Sequence, residues 1–318
     1  MTTPIIIDTD PGLDDAVAIL FAARAKQLDL RALTVVQGNC TVEHGTRNAR
    51  KILHAAGRCD IPIAAGAPKP ILRELLPGWP GHGPTGLGDL DDAPLCTPSP
   101  VTQAQSQGMG GLNAIRFLIE TLLVAPEPIT LIPIAPLTNI ALALLTAPEI
   151  KPQIKELVIM GGAVFCAGNT TAAAEFNIRG DPEAAQIVFT AGVPLTLVGL
   201  DVTMKARLFE PHVKRLEAAG NPQAKFAARC VRYIFGHARR YDTPRMHLHD
   251  PLAVGVALDR SLVKTQKLRV DVETATGLAL GQTMADTRAF SDATPNVDVC
   301  VEVDEERFVE MLLRTFGA

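Results

Sequence analysis

The stretch that most constrains the fold is Ile5-Ile6-Ile7, which leads into Asp8-Thr9-Asp10-Pro11-Gly12-Leu13-Asp14-Asp15. Three consecutive β-branched residues suit a strand buried on both faces, the kind found inside parallel sheets. Pro11-Gly12 forces a turn, and residues 14–28 are predicted to form a helix. The carboxylates of Asp8, Asp10, Asp14 and Asp15 therefore gather where a strand ends and a helix begins. Open α/β sheets build their sites at that edge.

Spacing divides the acids. In an extended segment Asp8 and Asp10 point to the same side. Asp14 and Asp15 are neighbours at a helix start, so their side chains diverge by about 100°. One or two of the four could be plain caps on a favourable helix dipole. As a group they call for a cation, because like charges packed together are costly unless neutralised. Oxygen-only donors favour a hard ion, calcium or magnesium, over zinc.

Strands predicted at 32–36, 61–66, 129–134, 157–160, 194–200, 268–272 and 296–303 alternate with helices at 46–56, 111–124, 138–145, 210–241 and from 305 onward. That alternation, with no repeat and no linker, indicates a single-domain α/β protein built on a doubly wound, mostly parallel sheet. Asp10, Asn39, Pro136, Gly161 and Asp201 would then share one rim. Residues 67–111 are rich in Pro and Gly and carry His82; a loop this long serves as a lid, a binding loop or an interface. In His249-Asp250-Pro251, Asp250 is expected as a helix cap and Pro251 as the first helical residue.

Composition narrows the function classes. A net charge of −4 and 4% aromatic residues disfavour nucleic acid or an anionic membrane as a partner. The longest apolar run, 129–145, is interrupted by Pro133, Pro136 and Asn139, which excludes a membrane span there. A strand beginning near residue 4 leaves no room for a signal peptide. The six scattered cysteines contain no CxxC and are expected to be reduced, mostly buried thiols of a cytoplasmic protein. There is no Walker loop and no GxSxG elbow. His247 and His249 lack further ligands at zinc spacing.

The opening motif resembles that of the nucleoside hydrolases, the inosine–uridine-preferring N-ribohydrolase family. The resemblance continues in order through Val36-Gln37-Gly38-Asn39, His82-Gly83, Pro136-Leu137-Thr138-Asn139-Ile140 and Met160-Gly161-Gly162. It then runs through Asn169, Ala174-Glu175-Phe176-Asn177, Asp181-Pro182-Glu183-Ala184-Ala185 and His249-Asp250-Pro251. It implies the nucleoside hydrolase fold, with a Rossmann-like core, and hydrolysis of ribonucleosides to ribose and free base. It implies Ca²⁺ held by Asp10, Asp15, Asp250 and the main-chain carbonyl of Ile134, with Asp10 as the base that activates water. By the same resemblance Asp14, Asn39, Asn169, Glu175 and Asn177 grip the ribose hydroxyls, with Met160 and Phe176 packing near the sugar.

His249 falls on the family's His-Asp-Pro pattern, and its titration range suits protonating the departing base. His82 is either a base contact or a loop-packing residue. Tyr241 stands where some pyrimidine-preferring relatives can have Tyr, a lean toward uridine and cytidine; purine or broad specificity is the alternative. Residues 222–248 are expected to form a flap over the base. Ile134 replaces a frequent Thr, and the 162–169 turn is one residue longer than in some relatives. A homodimer or homotetramer is implied. Two other classes stay open: a dehalogenase-type phosphatase, from Asp8-Thr9-Asp10, and a non-catalytic ribonucleoside-binding protein.

Overall fold

In the computed structural model, which describes residues 2–97, 113–237 and 243–318, the isoleucine run lies in a central strand. In chain order the strands are β1 (Thr3–Thr9), β2 (Leu28–Val35), β3 (Ile63–Ala65), β4 (Ile129–Pro133), β5 (Ile154–Met160), β6 (Leu195–Val198), β7 (Arg207–Leu208), β8 (Met246–His247), β9 (Val263–Val272), β10 (Thr283–Asp286) and β11 (Val297–Val303). The helices are α1 (Leu13–Arg24), α2 (Val42–Ala56), α3 (Asn113–Val124), α4 (Thr138–Thr146), α5 (Phe176–Gly180), α6 (Pro182–Phe189), α7 (Leu200–Thr203), α8 (Glu210–Ala219), α9 (Pro222–His237), α10 (His249–Leu258) and α11 (Glu305–Phe316).

Nine strands form one sheet in the order β10-β9-β11-β6-β5-β4-β1-β2-β3. From β11 to β3 the pairing is parallel, and β9 and β10 add an antiparallel edge. Strand pleating sends successive side chains to opposite faces. Ile5 and Ile7 accordingly join the core under α1, α10 and α11, whereas Ile6 joins the core under α3, α4 and α6. Both faces of β1 are thus covered, which is why its buried residues before Asp8, Pro4 to Ile7, are all apolar.

The chain winds from β1 outward to β2 and β3, then returns to β4 and builds in the other direction. The winding therefore reverses between β1 and β4, and a crevice opens beyond their carboxyl ends. Asp8 and Asp10 lie at that end of β1, and Ile134 immediately follows β4.

Several boundaries differ from the sequence reading. The first helix stops at Arg24, because Leu28 and Leu30 are buried while Arg31 is exposed, a strand alternation. Thr41 caps α2, its hydroxyl accepting from the His44 N–H, so that helix starts at Val42 rather than 46. Asp250 is no cap: α10 begins at His249, with Leu248 at the cap and Pro251 in the third position. The 210–241 stretch divides at Gly220, whose φ of 72° suits glycine. Residues 222–237, expected as part of a flap, form α9, which buries Phe226, Val231 and Ile234 in the core. Strand β10 went unforeseen; it is short and flanked by polar residues.

Residues 67–97 contain short 3-10 turns at Pro80–His82 and Leu90–Asp92, and the remainder of the expected 67–111 loop lies outside the described residues. Cys59 and Cys96 form a disulfide, contrary to the expectation of reduced thiols throughout. Their spacing concealed the pair because the fold brings them together: the Arg50 guanidinium donates to the Cys96 carbonyl at 2.7 Å, and the Cys96 N–H donates to Arg50 O at 3.2 Å. Cys96→Ser should therefore destabilise the oxidised protein by about 2–4 kcal/mol. An unchanged urea midpoint, with an unchanged slope, would contradict this. Among the described residues no helix is long and apolar enough to cross a membrane.

Candidate active site

The Pro11-Gly12 turn folds the start of α1 back against the end of β1. Thr9 Oγ1 donates to Asp15 Oδ1 at 2.5 Å, and the Gly12 N–H donates to Asp15 Oδ2 at 2.8 Å. One Asp15 oxygen is thus tied to the strand and the other to the turn. Asp10 is held from β2's far end, where the Asn39 N–H donates to Asp10 Oδ2 at 2.6 Å. The Asn39 amide also reaches Asp10 Oδ1 at 3.3 Å and Asp15 Oδ2 at 3.2 Å, bridging the two acids. Gly38 makes room, since a Cβ there would collide with Asp10 Oδ2.

The first turn of α10 delivers Asp250 to the same place. Asp14, Asp15 and Asp250 each offer an oxygen, all within 4.8 Å of one another. The trio differs from the expected ligand set in one member: Asp14 is in it, and Asp10 stands beside it with its oxygens turned to Asn39. Asp10, Asp15 and Asp250 are buried, and loss of hydration raises all three carboxyl pKa values, with neighbouring carboxylates pushing the same way. Burial likewise lifts Asp14 to about 6. Four buried acids this close are costly unless a cation neutralises them, and their all-oxygen donor set fits a hard divalent ion.

Asp8 takes another role. Its Oδ1 accepts from Thr34 Oγ1 at 2.5 Å and from the Asn139 amide at 2.8 Å, and burial raises its pKa to about 7. It is fully enclosed in the sheet, unable to serve as the exposed nucleophile of a dehalogenase-type phosphatase.

Across the crevice, Asn177 joins two strand ends, its amide donating to Ile134 O and to Met160 O, each at 3.2 Å. Glu175 caps α5, accepting from the N–H groups of Asn177, Ile178 and Gly162 at 3.0–3.1 Å. Asn169 is exposed and accepts from the Phe176 N–H at 2.9 Å, fastening the 162–169 turn over the half-buried Phe176. Met160, Asn177 and Glu175 are all buried here, and the Asn177 amide also meets the Met160 sulfur at 3.3 Å.

His82 has the contacts of a packing residue. Its Nδ1 accepts from the Leu13 N–H at 3.1 Å, Nε2 lies 3.8 Å from Asp14 Oδ1, and Trp79 meets it edge-on. Burial lowers its pKa to about 4. His249 is partly buried, with Nδ1 2.8 Å from Thr203 Oγ1 and its ring stacked on His247; burial first, then the neighbouring imidazoles, lowers its pKa to about 3. Tyr241 lies outside the described residues. Thr9 and Thr203 were missed in the sequence. Thr9 sits between two acids of the motif, a signal that was present, whereas nothing local marks Thr203.

The sequence matches the profile of the inosine-uridine preferring nucleoside hydrolases over residues 5–310. The chain belongs to this family. Nucleoside hydrolases cleave N-glycosidic bonds of ribonucleosides, and this chain is an enzyme of that kind. It is 40% identical over 314 residues to the pyrimidine-specific ribonucleoside hydrolase RihA of Photobacterium profundum, covering 98% of each chain. It is 39% identical to the RihA of a Shewanella species, covering 98% of this chain and 96% of the relative. Among solved structures, a plant nucleoside hydrolase, PpNRh1, superposes with a TM-score of 0.91 at 33% identity over the whole of both chains. A purine-preferring ribonucleoside hydrolase from Gardnerella vaginalis gives 0.87 at 31% identity, covering 99% of this chain and 98% of that one. The nucleoside hydrolase fold and the doubly wound sheet expected from the sequence are both present.

Proposed function

We propose that this nucleoside hydrolase is calcium-dependent and prefers pyrimidine ribonucleosides. The observation that carries the metal is the convergence of buried, pKa-raised carboxylates from the first turns of α1 and α10, with Asp10 beside them just past β1, at the switch point of the sheet. The proposed ligands are Asp15, Asp250, the Ile134 carbonyl and Asp10, whose Oδ1 has only the long 3.3 Å contact from the Asn39 amide to give up, with Asp14 of the observed trio left to the sugar. Held there, calcium would supply a hard positive charge that attracts the ribose hydroxyls and makes a nearby water more acidic.

The remaining work falls to side chains. Asp10 takes the proton of the attacking water. The water oxygen bonds to C1′ while the N-glycosidic bond breaks, and the surrounding carboxylates stabilise the positive charge that grows on the ribose. With no covalent intermediate, inversion at C1′ is expected. Asp14, Asn39, Asn169, Glu175 and Asn177 hold the sugar hydroxyls, with Met160 and Phe176 against the ring. His249 serves the departing base, donating to it from the ring nitrogen that Thr203 does not occupy.

The pyrimidine preference is supported by full-length relatives named pyrimidine-specific at about 40% identity, against a purine-preferring relative at 31%. The test is ribose release from uridine, cytidine, inosine and adenosine with calcium present. Uridine and cytidine should exceed the purines by at least about tenfold in kcat/KM, on the order of one well-placed contact. Inosine equal to uridine would overturn the preference, and ribose from none of them would overturn the hydrolytic reading. 2′-Deoxyuridine should fall at least about 1,000-fold below uridine, since the groups built for the 2′-hydroxyl would be left unpaired.

A further inference from the structure

We propose that Thr203 is a positioning residue for His249, holding the imidazole so that Nε2–H faces the departing base. The proposal rests on His249 serving the leaving group. Thr203 ends α7, is fully buried, and donates its N–H to Gly199 O at 3.0 Å, so its place is set by β6 and the turn beyond. Its hydroxyl oxygen lies 2.8 Å from His249 Nδ1, across 46 residues of sequence.

The same segment grips the His249 arm twice more. The Leu248 N–H donates to Ala206 O at 2.9 Å, and β7 pairs antiparallel with β8, Arg207 opposite His247 and Leu208 opposite Met246. Residues 203–208 therefore clamp 246–249 through ring, main chain and ribbon. His247 completes the seat, its ring stacked on His249 with centroids 5.6 Å apart and planes 23° apart. A ring fixed at Nδ1 and covered by a stacked neighbour presents Nε2 to a ligand.

The partner's chemistry selects the tautomer. The hydrogen bond made at one imidazole nitrogen decides which nitrogen carries the proton. A hydroxyl can donate as well as accept. When Thr203 donates to Nδ1, the ring proton resides on Nε2, where it can hydrogen-bond the electron pair that leaves with the base. Valine has nearly the same shape but cannot donate, so the ring would be free to place its proton on Nδ1, away from the base. Serine keeps the donor.

The experiment compares wild type, Thr203→Val, Thr203→Ser and His249→Ala on uridine and on 4-nitrophenyl β-D-ribofuranoside, whose leaving group departs without a donor. Thr203→Val should lower kcat on uridine by about 10- to 100-fold, a part of what a leaving-group donor contributes, with KM within about threefold. Its loss on the nitrophenyl riboside should be much smaller, and Thr203→Ser should recover most of the uridine activity. If His249→Ala separates the two substrates but Thr203→Val cuts both equally or neither, Thr203 has no positioning role while His249 keeps its own. If His249→Ala loses equally on both substrates, both assignments fail.

Discussion

Stripping the purified enzyme of divalent metal with EGTA should abolish ribose release, and added calcium should restore it. Asp10, Asp14, Asp15 and Asp250 crowd into one crevice, and burial raises the pKa of each. Without a cation they must stay partly protonated or repel one another. Asp14 is lifted to about 6 and Asp8 to about 7 from an ordinary 3.8, so across that interval the folded chain keeps protons that the unfolded chain releases. More protons bound in the native state means that these acids contribute stability that is lost as pH rises from about 4 to about 7, while His82 and His249, lowered by burial to about 4 and about 3, contribute in the opposite sense over that range. Calcium should cancel the acids' share of that pH dependence by favouring their ionised forms, and should raise the Tm at pH 7 in a concentration-dependent way. A metal-free enzyme that retains full turnover, or a Tm at pH 7 indifferent to calcium, would contradict this.

Asp10→Ala should reduce kcat on uridine by about 1,000-fold or more, in the range expected for loss of a general base. No neighbour can take over. Asp15 is tied to Thr9 and the Gly12 N–H, Asp8 is enclosed by Thr34 and Asn139, and Asp14 and Asp250 lie on the helix side of the crevice. Asp10 is also anchored by Asn39, so its loss frees that amide and loosens the bridge to Asp15. Asp10→Asn, which preserves the shape and an acceptor for the Asn39 N–H, should lose comparable turnover with a smaller change in Tm. Turnover within tenfold of wild type in either variant would remove Asp10 from the base role.

The fold was largely legible because its signals are local. Ile5-Ile6-Ile7 announces a strand covered on both faces, and the alternation of strands with helices announces the parallel sheet. The helix ends were harder to read. Leu28 and Leu30 belong to a strand whose alternation begins before its apolar half, and Pro251 occupies the third position of a helix rather than the first. Pairings that depend on the assembled chain were not legible at all. Cys59 meets Cys96 only because residues 67–97 return to α2, and Thr203 meets His249 only through the β7–β8 ribbon.

At the site, the opening motif identified the acids, but their division of labour is set by partners distant in sequence. Asn39 anchors Asp10 beside the trio that Asp14 and Asp15 form with Asp250, and the Leu13 N–H claims one nitrogen of His82.

The most direct test of a cation shared by these acids is a crystal structure of the protein grown with calcium, phased to locate the ion. One ion should lie about 2.3–2.6 Å from carboxylate oxygens of Asp10, Asp15 and Asp250 and from the Ile134 carbonyl, the span typical of calcium–oxygen ligation. Carboxyl groups paired with one another around shared protons, with no ion among them at saturating calcium, would contradict the account.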